Sequence, residues 1–290
     1  MKLKISRVVF AVLNLFILTG LSLAQTTKKV ETPYFKEIIE NKLKNTYGTS
    51  LKKICPIETD STAKRIFIEY GAIFVADNEI KLPSRCIFSN EKELQDYQVR
   101  ASPQTATVGG VVIILQKPAM QALLKAVQEA AKKNLRISPR GGSLAAKRSF
   151  GDTVKLWNSR FYPGLSYWVG QKKISPTEAA KVKDFKITEQ VAKVLEWEGK
   201  NLFFSKDLTK SILYSVAAPG ASQHNFMLAL DVEQFANKEV RKILAENGWF
   251  QTVKSDLPHF TYLGVKETDL PALGLKSVVV GGQKFWIPNF

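Results

Sequence analysis

Apolar residues recur at helical spacing in YFKEIIENKLKNTY, residues 34–47, and predict a first helix there. Between Cys55 and Cys86 the segment KRIFIEYGAIFVADNEIKLPSRC reads as two short strands or as a helix and a strand. The β-branched run VGGVVIILQ at 108–116 predicts a strand, and Pro118 then opens a long helical pattern that ends at Asn134. LRIS at 135–138 reads as a short strand, Pro139–Ser143 as a turn, and LAAKRSFGDTVKLWNSR as a renewed helix. The aromatic stretch FYPGLSYW at 161–168 reads as a packed loop in preference to a groove wall, and 177–199 is helical again. SILYSVAAPGASQHNFMLALDV is strand-like around a Pro-Gly turn, and a helix follows from Asn237 to a stop at Gly248. WFQTV and HFTYLG read as strands joined by KSDLP, and VVV-GG-QKFWI as a hairpin turning on two glycines.

Strands and helices are mixed without regular alternation and without repeats, which predicts an α+β fold with a small antiparallel sheet and flanking helices. With 290 residues, 45% of them hydrophobic, the chain can bury a large core. Three regions are expected: a signal peptide at 1–24, an N-terminal accessory region at 25–105, and a main domain at 106–290.

The signal peptide is read from the basic start MKLKISR, the apolar run VVFAVLNLFILTGLSLA, and small residues at Ser22 and Ala24, with cleavage after Ala24. The alternative is an uncleaved membrane anchor, interrupted by Asn14 and Gly20. No cysteine follows the cut, which argues against a lipoprotein. Export, to a periplasm or the extracellular space, leads us to expect a disulfide between Cys55 and Cys86, the only two cysteines. Closing that loop would stabilise the fold by roughly 3 kcal/mol. Two buried free thiols are the alternative.

The formal charge of +16 loses Lys2, Lys4 and Arg7 with the signal and becomes +13. An exported cation meets anionic cell-wall polymer or lipid headgroups before nucleic acid, so an anionic envelope surface is the expected long-range partner. The lysines are scattered, as a merely solvated surface also requires. Oligomeric state is not legible.

The chain has two histidines, His224 and His259, each near an acid: Asp231 seven residues after the first, Asp256 three before the second. Zinc in hydrolases takes three protein N or O ligands and leaves a fourth position for water, and His224, Asp231 and His259 would supply that set with Asp256 to spare. If FMLALDV is a strand, Asp231 shares a face with Ala229, while His224 has the opposite parity and needs a bend at Asn225-Phe226. A Ser222-His224-Asp231 triad is the competing arrangement. It lacks the final glycine of a nucleophile elbow and leaves Asp256 and His259 without a role.

GASQHNFMLALDV resembles the S-x-H-x-x-G-x-A-x-D signature of the zinc D-Ala-D-Ala carboxypeptidase family, which includes vancomycin-resistance carboxypeptidases and dipeptidases. Ser222, His224, Ala229 and Asp231 fit, and Met227 stands where the glycine would be. The second signature, E-x-W-H, corresponds to Asp256-Leu257-Pro258-His259, with Asp for Glu and Pro for Trp. The resemblance runs from about residue 108 to 265 and implies a Hedgehog- and D,D-peptidase-like fold. It also implies Zn2+ on His224, Asp231 and His259, and peptidoglycan stem peptides ending in D-Ala-D-Ala as substrate. Asp256 would then be the general base. Arg140, with Arg148 as its competitor, would stabilise the oxyanion and bind substrate, and Ser222 would also bind substrate. A dipeptidase, a crosslink endopeptidase, and an inactive cell-wall-binding protein on the same fold remain alternatives.

Overall fold

The computed structural model describes residues 32–254 and 256–290; the signal-peptide reading of residues 1–24 lies outside them. Helix α1 (Phe35–Tyr47) forms where the apolar spacing places it and buries Phe35, Ile39 and Leu43 on one face. The short α2 (Leu51–Ile54) and then α3 (Ser61–Tyr70) follow. Helix α3 begins at Asp60, whose carboxylate accepts from the N–H groups of Thr62 and Ala63. A 3-10 turn at Gly71–Val75 continues it. The cysteine-bracketed segment is therefore helical as far as Val75 and turns and irregular chain beyond it, and the strand expected in it does not form. Its apolar residues bury all round instead of on alternate faces.

Cys55 and Cys86 form a disulfide that closes this helical loop. Serine at both positions is expected to lower unfolding stability by roughly 2–4 kcal/mol, the scale for a loop of this length. Urea titration of the oxidised chain, the reduced chain and the double variant checks this, and equal midpoints for all three would count against it.

Helix α4 (Glu91–Arg100) leads into a hairpin of β1 (Pro103–Val108) and β2 (Val111–Gln116). The run at 108–116 is thus not one strand. Gly109 and Gly110 both take positive φ, 56° and 85°, as a tight two-residue hairpin turn requires. Helix α5 (Lys117–Lys132) follows with proline in its first turn. LRIS stays irregular, but Pro139 bridges to Val232, so the chain after it touches the edge of the central sheet.

Helix α6 (Phe150–Gly170) starts later than the sequence pattern suggested, at a capping box of Ser149 and Asp152, and runs straight through FYPGLSYW with Pro163 inside it. The stretch is helix because of packing: Phe204 stacks between Phe161 and Trp197, and a side chain on Gly164 would meet the Phe204 ring at 2.6 Å. Helices α7 (Pro176–Lys183) and α8 (Ile187–Glu198) divide the helical region at 177–199, and α8 supplies Val194 and Trp197 to this cluster.

The block from 211 to 232 is mostly turns, with only β3 (Ala229–Asp231) extended. After α9 (Lys238–Glu246), capped by Asn237, come β4 (Trp249–Phe250) and β5 (His259–Tyr262), then the hairpin β6 (Leu275–Val280) and β7 (Gln283–Pro288). The three-stranded sheet has the order β3-β5-β4, antiparallel throughout. The architecture is α+β, helices around small antiparallel sheets, as expected. Residues on both sides of the boundary expected near 105, from Phe35 through Leu94 to Phe260 and Trp286, enter one hydrophobic core. No described helix is long and apolar enough to cross a membrane.

Candidate metal centre

Strand register brings the first two candidate ligands together. Asp231 and His259 are directly opposed across β3 and β5, and opposed residues of an antiparallel pair project from the same face. His224 arrives by a different route. The N–H groups of Asn225, Phe226 and Met227 donate to the carbonyls of Ser222, Gln223 and His224, a tight coil that reverses the chain just before β3. That coil is the bend expected at Asn225-Phe226. Met227 takes φ 57°, the left-handed region that suits glycine and costs other residues about 1–2 kcal/mol. Its side chain is fully buried, which offsets that cost.

Residues of α4 and the end of β2 hold the coil in place. The Gln116 amide donates to the Phe226 carbonyl and its backbone N–H to that of Met227. Gln98, buried on α4, donates to the carbonyls of Arg148 and Asn225 at 3.0 and 2.9 Å. Asn225 in turn donates to the carbonyls of Arg148 and Ser149. The three chain segments that meet at the site are therefore fixed to one another by buried amides.

His224 Nε2 lies 3.1 Å from His259 Nδ1, and Asp231 Oδ1 lies 3.3 Å from the first and 3.5 Å from the second. The outer nitrogens decide what those inner atoms are. His224 Nδ1 is 2.8 Å from the Ala146 carbonyl, a pure acceptor, so Nδ1 carries the hydrogen. His259 Nε2 is 2.8 Å from Gln223 Oε1, and Gln223 is oriented because its Nε2 donates to the Tyr70 carbonyl at 3.0 Å. In the neutral rings, His224 Nε2 and His259 Nδ1 are both lone pairs, and they converge with a carboxylate oxygen on one point. Such an arrangement repels itself unless a cation sits within it, and the outer hydrogen bonds are those that orient metal-ligating histidines. The His224-Asp231-His259 group could hold a metal ion, and it is the one group of this kind found among the described residues.

For His224 and Asp231 the electrostatics favour the same protonation state. Burial, with Arg148 nearby, pushes His224 down to about 4, so it is neutral at pH 7. Burial alone would raise the Asp231 carboxyl, but interactions with the two histidines hold it well below the usual carboxylate range. A buried anion beside the neutral His224 ring and a second imidazole nitrogen is a donor set suited to a divalent ion.

Arg148, not Arg140, reaches this centre. Arg148 Nη2 is 2.6 Å from Asp231 Oδ2, and its Nε donates to the Leu144 carbonyl. Arg140 turns away: its guanidinium lies 3.6 Å from Glu233 and over the Phe235 ring. Only its backbone serves the site, donating to the Asp231 carbonyl at 2.8 Å. The turn that carries Arg140 adds to the sheet edge, which sends its side chain outward, whereas Arg148 immediately precedes the α6 cap and points in.

A cavity of about 210 Å3 opens onto the centre and is lined by His224, Asp231, His259, Arg148, Ser222 and Asp256. Ser222 is buried and its hydroxyl accepts from the His224 N–H at 3.3 Å. No hydrogen-bond partner for the Asp256 carboxylate is found among the described residues. Burial raises its pKa, with His259 and Arg148 opposing and Asp231 adding to the rise. Gln223 was not singled out in the sequence; its only signal is its place next to His224 inside the signature.

No protein-family model matches the chain, and no curated protein matches it. Among solved structures the chain is similar to VanYB in complex with D-alanine-D-alanine, at 15% identity over 59% of this chain and 83% of that one, with a TM-score of 0.34.

Proposed function

We propose that the protein is an exported zinc peptidase that removes the terminal D-alanine from peptidoglycan stem peptides ending in D-Ala-D-Ala. The observation that carries this reading is the spacing of the three donors. Zinc bonds of about 2.0–2.1 Å in a tetrahedron set neighbouring donors about 3.3–3.4 Å apart. His224, His259 and Asp231 offer donor separations of 3.1, 3.3 and 3.5 Å. Three protein donors, with a cavity beside them, fit a catalytic site and not a closed structural one. The identity of the peptide rests on the signature residues Ser222, His224, Ala229, Asp231 and His259.

Zinc held there would supply a water activated at neutral pH and a Lewis acid for the scissile carbonyl. Asp256 lines the same cavity, its carboxylate without a hydrogen-bond partner among the described residues, and it would take the proton from the attacking water and return it to the leaving amine. Arg148, held by Asp231 and Leu144 through Nη2 and Nε, keeps Nη1 to stabilise charge developing on the carbonyl oxygen. Ser222 lines the cavity and can touch the peptide only through a hydroxyl that already accepts from His224.

The catalytic groups come from 106–290, but Tyr70 and Gln98 orient them, so we expect 32–105 to be required for activity. The Cys55–Cys86 disulfide suits an oxidising compartment. The basic charge suits attraction to an anionic envelope.

The test is to incubate the mature chain with muropeptides, with zinc, after chelation, and after zinc is restored, and to read products by mass. Loss of one terminal alanine that disappears with chelation and returns with zinc is the expected result. Cleavage elsewhere in the peptide would assign an endopeptidase, and an intact pentapeptide under all conditions would reduce the protein to a binding function.

A further inference from the structure

The cavity holds a second arginine that the reaction described above does not use. Arg160 lies on α6, and the helix face turned to the cavity reads Thr153, Leu156, Arg160, the i, i+3, i+7 spacing of one helical stripe. The Arg160 Nε donates to Ser215 Oγ at 2.9 Å and its Nη1 to Ser159 Oγ at 3.0 Å. Nη2 makes no hydrogen bond among the described residues, and Arg160 enters no ion pair among them. Arg148, by contrast, is already committed to Asp231. Arg160 is thus a positioned cation in a cavity wall, with donors to spare and no anionic partner among the described residues.

Two further features say what would complete it. The cavity, about 210 Å3, is smaller than the roughly 300–1,000 Å3 of pockets that enclose a drug-sized ligand, a size that suits one end of a peptide. Apolar groups of Leu156, Val216 and Ala217 share the wall with Arg160 and suit a small aliphatic side chain. A peptide end with a small side chain brings either an amine or a carboxylate, and a free guanidinium repels the first and forks onto the second.

We propose that Arg160 binds the C-terminal carboxylate of the substrate, so that the site acts only on the free carboxyl end of a peptide. The inference rests on the peptidase reading for its choice of peptide. It assigns Arg148 to the scissile carbonyl and Arg160 to the terminus beyond it.

The test uses zinc-loaded mature chain and two ligands, an N-acetylated peptide ending in D-Ala-D-Ala and its C-terminal amide, with affinities measured by calorimetry and hydrolysis read on the same samples. The wild type is expected to bind the free acid at least roughly tenfold more tightly than the amide, the scale of a charge-assisted hydrogen-bonded pair. Arg160→Gln should weaken the acid by a similar factor and leave the amide within about twofold, while retaining zinc. Arg160→Lys, which keeps the charge and loses the fork, should fall between. An Arg160→Gln protein that keeps the wild-type preference overturns the proposal, as does a wild type that binds acid and amide alike or binds neither. Discrimination without hydrolysis would instead overturn the peptidase reading and leave the carboxylate site standing.

Discussion

Alanine at His224 or at His259 is expected to abolish stoichiometric zinc binding and, with it, peptide hydrolysis. Each histidine is one of only three protein donors, and neither has a substitute, because the chain contains no third histidine. The loss should exceed the roughly 10 to 100-fold that removal of an outer hydrogen-bond partner costs. Gln223→Leu supplies that smaller effect for comparison. It removes the acceptor of the His259 Nε2 hydrogen and frees the ring to rotate or change tautomer, so zinc affinity should fall by roughly 10 to 100-fold and excess zinc should restore activity. Thermal unfolding gives a reading independent of turnover. Zinc at a thousand times its dissociation constant stabilises a folded chain by about 4.1 kcal/mol, so the wild type should melt higher with zinc and the histidine variants should not respond. Undiminished metal content in both alanine variants would remove the assignment.

What the sequence disclosed depended on how local each feature was. The α5 helix, the capped α9, the β4–β5 pair and the β6–β7 hairpin were legible because periodicity, Asn237 and the Gly-Gly turn are signals carried within a few residues. The hairpin at 103–116 was half legible: β2 is apolar, but β1 is PQTATV, too polar to signal a strand before its partner is known. The block from 211 to 232 misled because buried loops are as apolar as strands, and its turns are held by Gln98, Gln116 and Gln223, whose contacts reach across the chain. The candidate site shows the same division. His224, Asp231 and His259 could be paired by spacing, and the structure brings their donor atoms within 4.8 Å of one another. Choosing between Arg140 and Arg148 required knowing which turn adds to a sheet edge, and no local pattern carries that. Arg160 was invisible because its stripe on α6 matters only once the cavity beside it exists.

Asp256→Asn should keep zinc and lose turnover by roughly 100-fold or more, the usual scale of general acid-base catalysis. A carboxylate at this place could serve as the base or as a partner that orients His259. The structure separates the two roles. His259 Nε2 is already satisfied by Gln223 at 2.8 Å, and Nδ1 points at His224 and Asp231, so the ring has no hydrogen left to give Asp256. The Asp256 carboxylate instead shares the cavity with the donors and has no hydrogen-bond partner there among the described residues. The side chain is one methylene shorter than the signature's glutamate, and the His259 N–H donates to the Asp256 carbonyl at 3.2 Å, a turn that places residue 256 just before β5. Burial pushes its pKa up in the metal-free chain, while a divalent cation beside it acts in the opposite direction, so activity with zinc should rise with pH as the carboxylate forms. That acidic limb should vanish in Asp256→Asn. Occupancy and hydrolysis measured together on each variant decide the matter, for an orienting role predicts weakened zinc binding that excess metal repairs. An Asp256→Asn protein that holds zinc and turns over at the wild-type rate would take Asp256 out of the reaction.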